Sequence, residues 1–183
     1  PTKNLRADAD QDFDPTNLIQ DAPTTEILNI DGEEHWKDEH KSQEYNEKVM
    51  EAIDKYKRVF IQGHAGCGKS YYAEMYLKRH IATKKHLVLN YCGSLLDDMW
   101  KTMNVDGKNI ELNAKTIDKA LGQIYDDSGG MKTKGSGTNF KEIDIVIIDE
   151  TYMISINNLS KLRQRIDENP DLVVIWLGCP YQN

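Results

Sequence analysis

Two spacings of apolar residues alternate along this chain of 183 residues. Short, mostly apolar runs occur at 58–62, 85–90, 143–148 and 172–177, and such runs are typical of strands buried on both faces of a sheet. Between them, apolar residues recur every three or four positions, which is the spacing of helices that pack one face on a sheet. The alternation predicts an α/β fold, with a parallel sheet covered by helices on both faces.

Three segments carry a helical apolar stripe. The first is 41–56, the second follows the run at 58–62 and a short loop, and the third ends before Pro170. Residues 94–125 are also predicted to be mostly helical, with an interruption at 104–107. The three stripes consist of Tyr45, Val49, Met50, Ile53 and Tyr56; of Ala73, Tyr76, Leu77, His80 and Ile81; and of Leu159, Leu162 and Ile166.

The front of the chain is acidic and poor in large apolar residues. Residues 1–57 carry 7 basic and 15 acidic side chains, a net charge of -8, whereas the rest of the chain carries 16 and 15. Residues 1–40 cannot bury enough apolar surface to offset the entropy of ordering, so they predict a flexible acidic arm or linker. The folded domain is expected over 41–183, where the charges balance and a local basic patch for nucleic acid remains possible.

The composition limits the class of protein. A length of 183 residues is typical of one domain, and 39% hydrophobic residues are enough for a core. No apolar run approaches the ~20 residues that a membrane-spanning helix needs, and residues 1–14 are too acidic for a signal peptide. Cys67, Cys92 and Cys179 are widely spaced and favour neither disulfides nor a structural zinc site. We expect a soluble intracellular protein, cytoplasmic or nuclear, with no membrane partner.

Residues 63–70 fit the phosphate-binding loop pattern G-x-x-x-x-G-K-[ST], between a predicted strand and a predicted helix. Glycines let backbone amides turn inward around an anion, and the helix N-terminus adds its positive dipole end. Lys69 is expected to reach the β- and γ-phosphates of ATP, and the Ser70 hydroxyl to complete the shell of a Mg²⁺ ion. A plain Gly-rich turn is the alternative, but it gives no reason for Lys and Ser after the last Gly. The predicted nucleotide-binding residues of the loop are Gly63, His64, Ala65, Gly66, Cys67, Gly68, Lys69 and Ser70.

The apolar run at 143–148 ends in two acids, Asp149 and Glu150. Two carboxylates at the tip of a buried strand are costly unless they meet cations, and a Mg²⁺–nucleotide complex supplies one. Asp149 is expected to hold the metal, directly or through water, and Glu150 to orient and deprotonate an attacking water. An exposed acidic turn after a core strand is the alternative for these two residues.

The order of these motifs resembles the first RecA-like domain of a superfamily 1 helicase, over about residues 41–183. The D-E-x-x-M continuation is similar to the RecD and Dda branch, whereas the G-C-G-K loop and a T-I-D tripeptide are also similar to viral replicative helicases. The sequence leaves the choice of branch open. The resemblance rests on residues 63–70, 87–94, 116–121, 149–153 and 178–182.

The resemblance implies roles for residues outside the two strongest motifs. Gln182 would sense the γ-phosphate, and Gln43 is either an adenine reader or a surface glutamine. The strand ending at Leu177 would lie between the other two motif strands, and Cys179 stands where the family's third motif usually has aspartate. The single-strand path would be lined by Cys92, Gly93, Ser94, Thr116 and Asp118.

Several lysines near this path are candidates for gripping phosphates. They are Lys101 and two lysines of a Gly-rich loop at 126–137, which is either a backbone-tracking loop or a plain connection. A tyrosine could stack on a base, but Tyr91 is expected to belong to the core.

The implied function is Mg²⁺-dependent ATP hydrolysis, coupled in the complete protein to movement along single-stranded DNA or RNA. In such enzymes a second RecA-like domain supplies an arginine that completes the transition-state charge. The chain stops at the tip of a predicted central strand, so we expect a truncated domain with weak or no activity by itself. Two other classes remain open: a P-loop small-molecule kinase, and a non-catalytic nucleotide-dependent scaffold.

Overall fold

A computed structural model of the chain describes residues 25–30, 39–125, 131–133 and 137–180, with side chains for 25–30, 43–123 and 137–180. The helices are α1 (Glu39–Tyr56), α2 (Lys69–His80), α3 (Gly93–Met99), α4 (Ile117–Ala120) and α5 (Ile156–Asp167), with 3₁₀ turns at Phe140–Glu142 and Thr151–Met153. The strands are β1 (Thr25–Asn29), β2 (Arg58–Gln62), β3 (His86–Asn90), β4 (Thr102–Val105), β5 (Lys108–Glu111), β6 (Ala114–Thr116), β7 (Gln123–Tyr125), β8 (Met131–Thr133), β9 (Ile145–Ile148) and β10 (Val173–Gly178).

Six strands form one sheet in the order β1-β2-β10-β9-β3-β6, and every neighbouring pair in it is parallel. Strand β10 therefore lies between the strand that precedes the phosphate-binding loop and the strand that ends in the two acids, as the helicase resemblance implies. Because parallel strands end at the same edge of a sheet, the segments that follow β2, β3, β9 and β10 meet at its carboxyl edge.

Helices cover both faces of this sheet, so its central strands are buried on both sides. In β9, Ile145 and Ile147 belong to one core cluster, and Val146 and Ile148 belong to the other. The first cluster contains the inner faces of α1 and α2, and the second contains the inner face of α5. The buried helix residues are Val49, Met50 and Ile53 of α1; Tyr72, Ala73, Tyr76 and Leu77 of α2; and Leu159, Leu162 and Ile166 of α5.

The predicted α/β fold is confirmed. The four predicted strands are β2, β3, β9 and β10, and the three predicted amphipathic helices are α1, α2 and α5. Within the described part of the chain, no helix combines the length and the apolar character that crossing a membrane requires.

The prediction of mostly helical structure at 94–125 was wrong. Between the short helices α3 and α4, strands β4 and β5 form an antiparallel hairpin. Its two-residue turn is Asp106-Gly107, with φ angles of 51° and 79°, and this left-handed pair is the geometry that Asp-Gly favours in tight hairpins. The side-chain oxygen of Asn104 accepts a hydrogen bond from the Gly107 amide at 3.1 Å. The Asp-Gly pair thus marked a hairpin turn rather than a break between helices.

The flexible arm predicted over 1–40 also requires a correction. Residues 25–29 form β1, which adds a parallel edge strand to β2, and residues 39–40 already belong to α1. The amide of Ile30 continues the pairing by donating to the Gln62 carbonyl at 3.0 Å. The remainder of the predicted arm, 1–24 and 31–38, lies outside the described residues.

Gly178, the last residue of β10, allows the ring of Tyr152 to approach the strand closely. A Cβ atom on Gly178 would lie 2.6 Å from Cδ2 of Tyr152 and 3.1 Å from Cζ of Phe60. The substitution Gly178→Ala is therefore expected to lower the free energy of unfolding by about 1–3 kcal/mol, the typical cost of overpacking. Urea denaturation followed by circular dichroism measures this change.

Gly93→Ala is the matched control for that experiment. A Cβ atom on Gly93 would meet only Cγ2 of Thr116, at 3.7 Å, so the change in unfolding free energy should stay within about 0.5 kcal/mol. Equal losses of stability in the two variants would contradict the close approach of Tyr152 to Gly178.

Candidate nucleotide and metal site

The loop between β2 and α2 has the backbone geometry of an anion-binding turn. Gly66 and Gly68 have φ angles of 79° and 87°, a region that favours glycine. A Cβ atom at Gly66 would meet nothing within 4 Å, so the backbone conformation rather than crowding requires glycine there. The amide of Gly63 donates to the carbonyl of Gly178 at 3.3 Å, which ties the start of the loop to the end of β10.

Lys69 begins α2, and its side chain is held against its own loop. The Nζ atom donates to the carbonyl oxygens of Gly63 at 3.0 Å and His64 at 2.8 Å. Both acceptors are backbone groups, so the loop fixes the position of the ammonium. Ser70 follows in the first turn of α2 and is partly buried.

Asp149 lies at the end of β9 and is only 4% exposed. Two donors hold its carboxylate: the indole Nε1 of Trp100 donates to Oδ2 at 2.8 Å, and the backbone amide of Glu150 donates to Oδ1 at 2.9 Å. Burial raises the pKa of Asp149, while these two hydrogen bonds and the charge of Lys69 act in the opposite direction.

Glu150 is half-buried beside it and has left-handed backbone angles, φ 52° and ψ 48°. For a residue other than glycine this conformation costs about 1–2 kcal/mol, and such residues cluster at functional sites. The pKa of Glu150 is raised by burial and by the charge of Asp149, and the positive charge of Lys69 opposes that rise.

The phosphate-binding loop and the two acids therefore meet at one edge of the sheet. They follow β2 and β9, whose carboxyl ends lie at the same edge of the parallel sheet, and the positive charge of Lys69 acts to lower the pKa of both Asp149 and Glu150. Two desolvated carboxylates beside one lysine leave an excess of negative charge. Mg²⁺ is a hard divalent cation that prefers oxygen ligands. The Asp149 carboxylate and the Ser70 hydroxyl therefore fit a Mg²⁺ ion.

The two predicted glutamines have different outcomes. Gln43 lies in α1 and is exposed. Two residues further on, the ring of Tyr45 contacts that of Tyr72 edge-to-face at 6.1 Å between centroids, so this part of α1 lies beside the start of α2. Gln43 as an adenine reader stays a prediction. Gln182 lies outside the described residues.

The predicted single-strand residues lie on two neighbouring segments. Cys92 precedes α3, and Gly93 and Ser94 are its first two residues. Thr116 is the last residue of β6, which pairs with β3, and it precedes α4. Asp118 faces α5, where its Oδ1 accepts a hydrogen bond from Asn158 Nδ2 at 2.9 Å. The sheet thus brings all five positions to its carboxyl edge beyond β3 and β6.

A groove of about 480 Å³ lies between these segments. It includes Gly93 and Thr116, and three of its residues are lysines. Lys101 was a candidate from the sequence, but Lys115 and Lys119 were missed, although both flank the T-I-D tripeptide. The groove is lined by Gly93, Leu96, Asp97, Lys101, Glu111, Leu112, Ala114, Lys115, Thr116 and Lys119.

Two residues near the site differ from the sequence expectations. Tyr91 is 40% exposed, so its assignment to the core was wrong, because it stands in the turn after β3 rather than in the strand. Trp100 was not singled out, because a lone tryptophan in a predicted helical segment gives no sign that its N–H meets an acid 49 residues away.

A family model described as an AAA domain matches residues 46–182, which is more than half of the chain. The chain therefore belongs to this family of P-loop NTPases, and the match includes the loop pattern at residues 63–70. No curated protein matches the chain significantly.

Because the pKa of Glu150 is raised in the folded protein, ionisation of this carboxyl group is expected to lower the stability of the fold. A carboxyl group whose folded pKa lies above its ordinary value of 4.5 binds more protons in the folded state than in the unfolded state. The free energy of unfolding therefore falls as the pH rises from the ordinary pKa of the group to its pKa in the folded protein. Glu150→Gln removes this loss, so the nucleotide-free variant should melt at a higher temperature than wild type at pH 7, with the difference vanishing towards pH 4.

Thermal unfolding across this pH range measures the difference. Glu51→Gln, a change at an exposed position of α1, controls for the loss of one negative charge and should alter stability by no more than about 0.5 kcal/mol at any of these pH values. A Glu150→Gln variant less stable than wild type at pH 7 would show that the buried charge is compensated in the folded protein.

Proposed function

We propose that this P-loop domain is the first RecA-like, ATP-binding domain of a superfamily 1 nucleic-acid helicase or translocase. Its reaction is Mg²⁺-dependent hydrolysis of ATP, coupled to movement along single-stranded DNA or RNA. The observation that carries the proposal is the sheet order, in which β10 separates the loop strand β2 from the acid-tipped strand β9. The resemblance to helicases implies this order, and the match to the AAA-domain family supports the nucleotide site.

The residues divide the work of hydrolysis between them. Backbone amides of the loop and the Lys69 ammonium bind the phosphates. To reach them, Lys69 exchanges its hydrogen bonds to the carbonyls of Gly63 and His64 for contacts to phosphate oxygens. Asp149 and Ser70 would hold Mg²⁺, which would supply positive charge to stabilise the negative charge that develops on the phosphates. Glu150 orients a water and accepts its proton, a role that suits a carboxylate with a raised pKa.

The groove beside α3 and α4 supports the nucleic-acid part of the proposal. It lies at the same edge of the sheet as the nucleotide site, and Lys101, Lys115 and Lys119 line it. Lysines bind phosphates as point charges and suit a backbone that is recognised without regard to base sequence. We further propose that a second RecA-like domain supplies the transition-state arginine, so that this chain by itself binds ATP but hydrolyses it slowly.

Substitutions in the nucleotide site separate binding from hydrolysis. Lys69→Ala is expected to weaken Mg²⁺–ATP binding at least about tenfold, because one charge-assisted contact to phosphate is lost. Glu150→Gln should retain binding but lower ATP turnover roughly 10²- to 10⁴-fold, the usual contribution of a general base. Calorimetric titration and a phosphate-release assay measure the two effects.

Lys141→Ala, an exposed lysine in the 3₁₀ turn before β9, is the control and should alter neither quantity. Equal turnover in wild type and Glu150→Gln would favour a nucleotide-dependent scaffold instead. Transfer of phosphate to nucleosides in an acceptor screen would favour a small-molecule kinase.

The groove lysines should set the salt dependence of nucleic-acid binding. Each lysine that neutralises a phosphate contributes roughly 0.7 to the slope of log K against log salt for single strands. Changing Lys101, Lys115 and Lys119 together to alanine is expected to reduce this slope by about 2. Fluorescence anisotropy with oligo(dT) and oligo(rU), over a range of salt concentrations, measures it.

Lys84→Ala is the matched control, because Lys84 lies before β3 at the opposite edge of the sheet. Its slope should equal that of wild type. An unchanged slope in the triple variant would remove the groove from the proposed nucleic-acid path.

A further inference from the structure

Trp100 connects the metal-binding carboxylate to the wall of the groove. Its side chain is 1% exposed, and its indole N–H donates to Oδ2 of Asp149 at 2.8 Å in a buried hydrogen bond. An indole N–H can only donate, so the bond fixes one carboxylate oxygen as its acceptor. The Glu150 amide fixes the other oxygen, at 2.9 Å. The plane of the Asp149 carboxylate is therefore set by two donors from different parts of the chain.

The backbone around Trp100 belongs to the groove. Its amide donates to the carbonyl of Leu96 at 2.9 Å, which closes the last turn of α3, and the carbonyl of Lys101 accepts the Leu112 amide at 3.0 Å, beyond the β4–β5 hairpin. Leu96, Lys101 and Leu112 all line the groove. A shift of α3 or of the hairpin is therefore transmitted through one rigid, fully packed side chain to Asp149.

We propose that Trp100 is a positioning residue for Asp149, and that it couples occupation of the lysine-lined groove by a single strand to Mg²⁺–nucleotide binding. The coupling rests on the proposed function, because it takes the groove as the single-strand site. The positioning role rests only on the P-loop site and the observed hydrogen bond. Groups that orient metal ligands in this way typically contribute ten- to hundredfold to metal affinity.

The test begins with Trp100→Phe, which keeps an aromatic ring in the core and removes the N–H. The Mg²⁺ concentration for half-maximal binding of a fluorescent, non-hydrolysable ATP analogue should rise roughly tenfold or more. Binding of the analogue without Mg²⁺ should stay as in wild type. Trp176→Phe is the matched control: Trp176 is also buried, but it lies in the core cluster on the other face of the sheet.

A spectroscopic readout on the wild-type chain does not depend on the stability of the variant. In ¹H–¹⁵N spectra the Trp100 indole signal should shift when Mg²⁺ is added to the analogue complex, and Asp149→Asn should abolish that shift. The positioning role is overturned if the Trp100 indole signal does not shift when Mg²⁺ is added. It is also overturned if Trp100→Phe needs the same Mg²⁺ concentration as wild type for half-maximal binding of the analogue. If wild type does not bind Mg²⁺–nucleotide at all, the proposed function fails as well.

The coupling is measured by repeating the titrations with saturating oligo(dT) or oligo(rU). Linkage requires that a strand which tightens Mg²⁺–analogue binding is itself bound more tightly in the presence of that complex. We expect such tightening in wild type and Trp176→Phe, and a clear loss of it in Trp100→Phe. Equal tightening in all three proteins, or none in wild type, overturns the coupling and leaves the Mg²⁺ measurement to decide the positioning role.

Discussion

Two carboxylates at the buried carboxyl edge of a parallel sheet impose the main electrostatic constraint on this molecule. Desolvation raises the pKa of Asp149 and of Glu150. The two residues are adjacent in the chain, and the charge of Asp149 raises the pKa of Glu150 further. The fixed groups that offset this cost are the ammonium of Lys69, the indole N–H of Trp100 and the Glu150 amide. One cation against two acids leaves an excess of negative charge, which the proposed Mg²⁺ ion would offset.

The order of the strands makes this arrangement possible. Because β10 separates β2 from β9, the phosphate-binding loop and the acids stand apart by the width of one strand, with the end of β10 between them. At that end, the carbonyl of Gly178 accepts a hydrogen bond from the Gly63 amide, and the absence of a side chain on Gly178 leaves space for the Tyr152 ring. Gly178 thus contacts both the loop and the 3₁₀ turn that follows the two acids; the next residue is Cys179, where the helicase resemblance has an aspartate. Cys179 is 3% exposed and packs as a small buried residue.

The same edge of the sheet carries the elements on which the proposed nucleic-acid groove depends. Short helices α3 and α4 follow β3 and β6, and the β4–β5 hairpin lies between them in the chain. Three lysines in and next to these elements line a groove, and Trp100, which follows α3, donates a hydrogen bond to Asp149. These elements therefore connect the proposed single-strand groove to the proposed metal ligand Asp149, and coupling between two sites needs such a connection.

Local sequence determined much of this structure. The strands β2, β3, β9 and β10 were readable because burial on both faces of a sheet gives a continuous apolar run. The helices α1, α2 and α5 were readable because burial on one face imposes a helical period. The loop at 63–70 and the acids at 149–150 were predicted as a site because phosphate and metal binding require particular residue types at fixed spacing, and their binding roles stay predictions. The helicase resemblance also gave the position of β10 between the two motif strands.

Tertiary structure decided what depends on partners distant in sequence. Strand β1 lies in a polar, acidic region and exists as a strand because β2 offers an unpaired edge, so its own composition did not reveal it. The hairpin at 102–111 was hidden by an apparent helical period, although Asp106-Gly107 carried the local signal. The bond from Trp100 to Asp149 joins residues 49 positions apart, and no local pattern encodes such a pairing. Sequence fixes which chemical groups are present and their local conformation, whereas packing across the sheet fixes which of them meet.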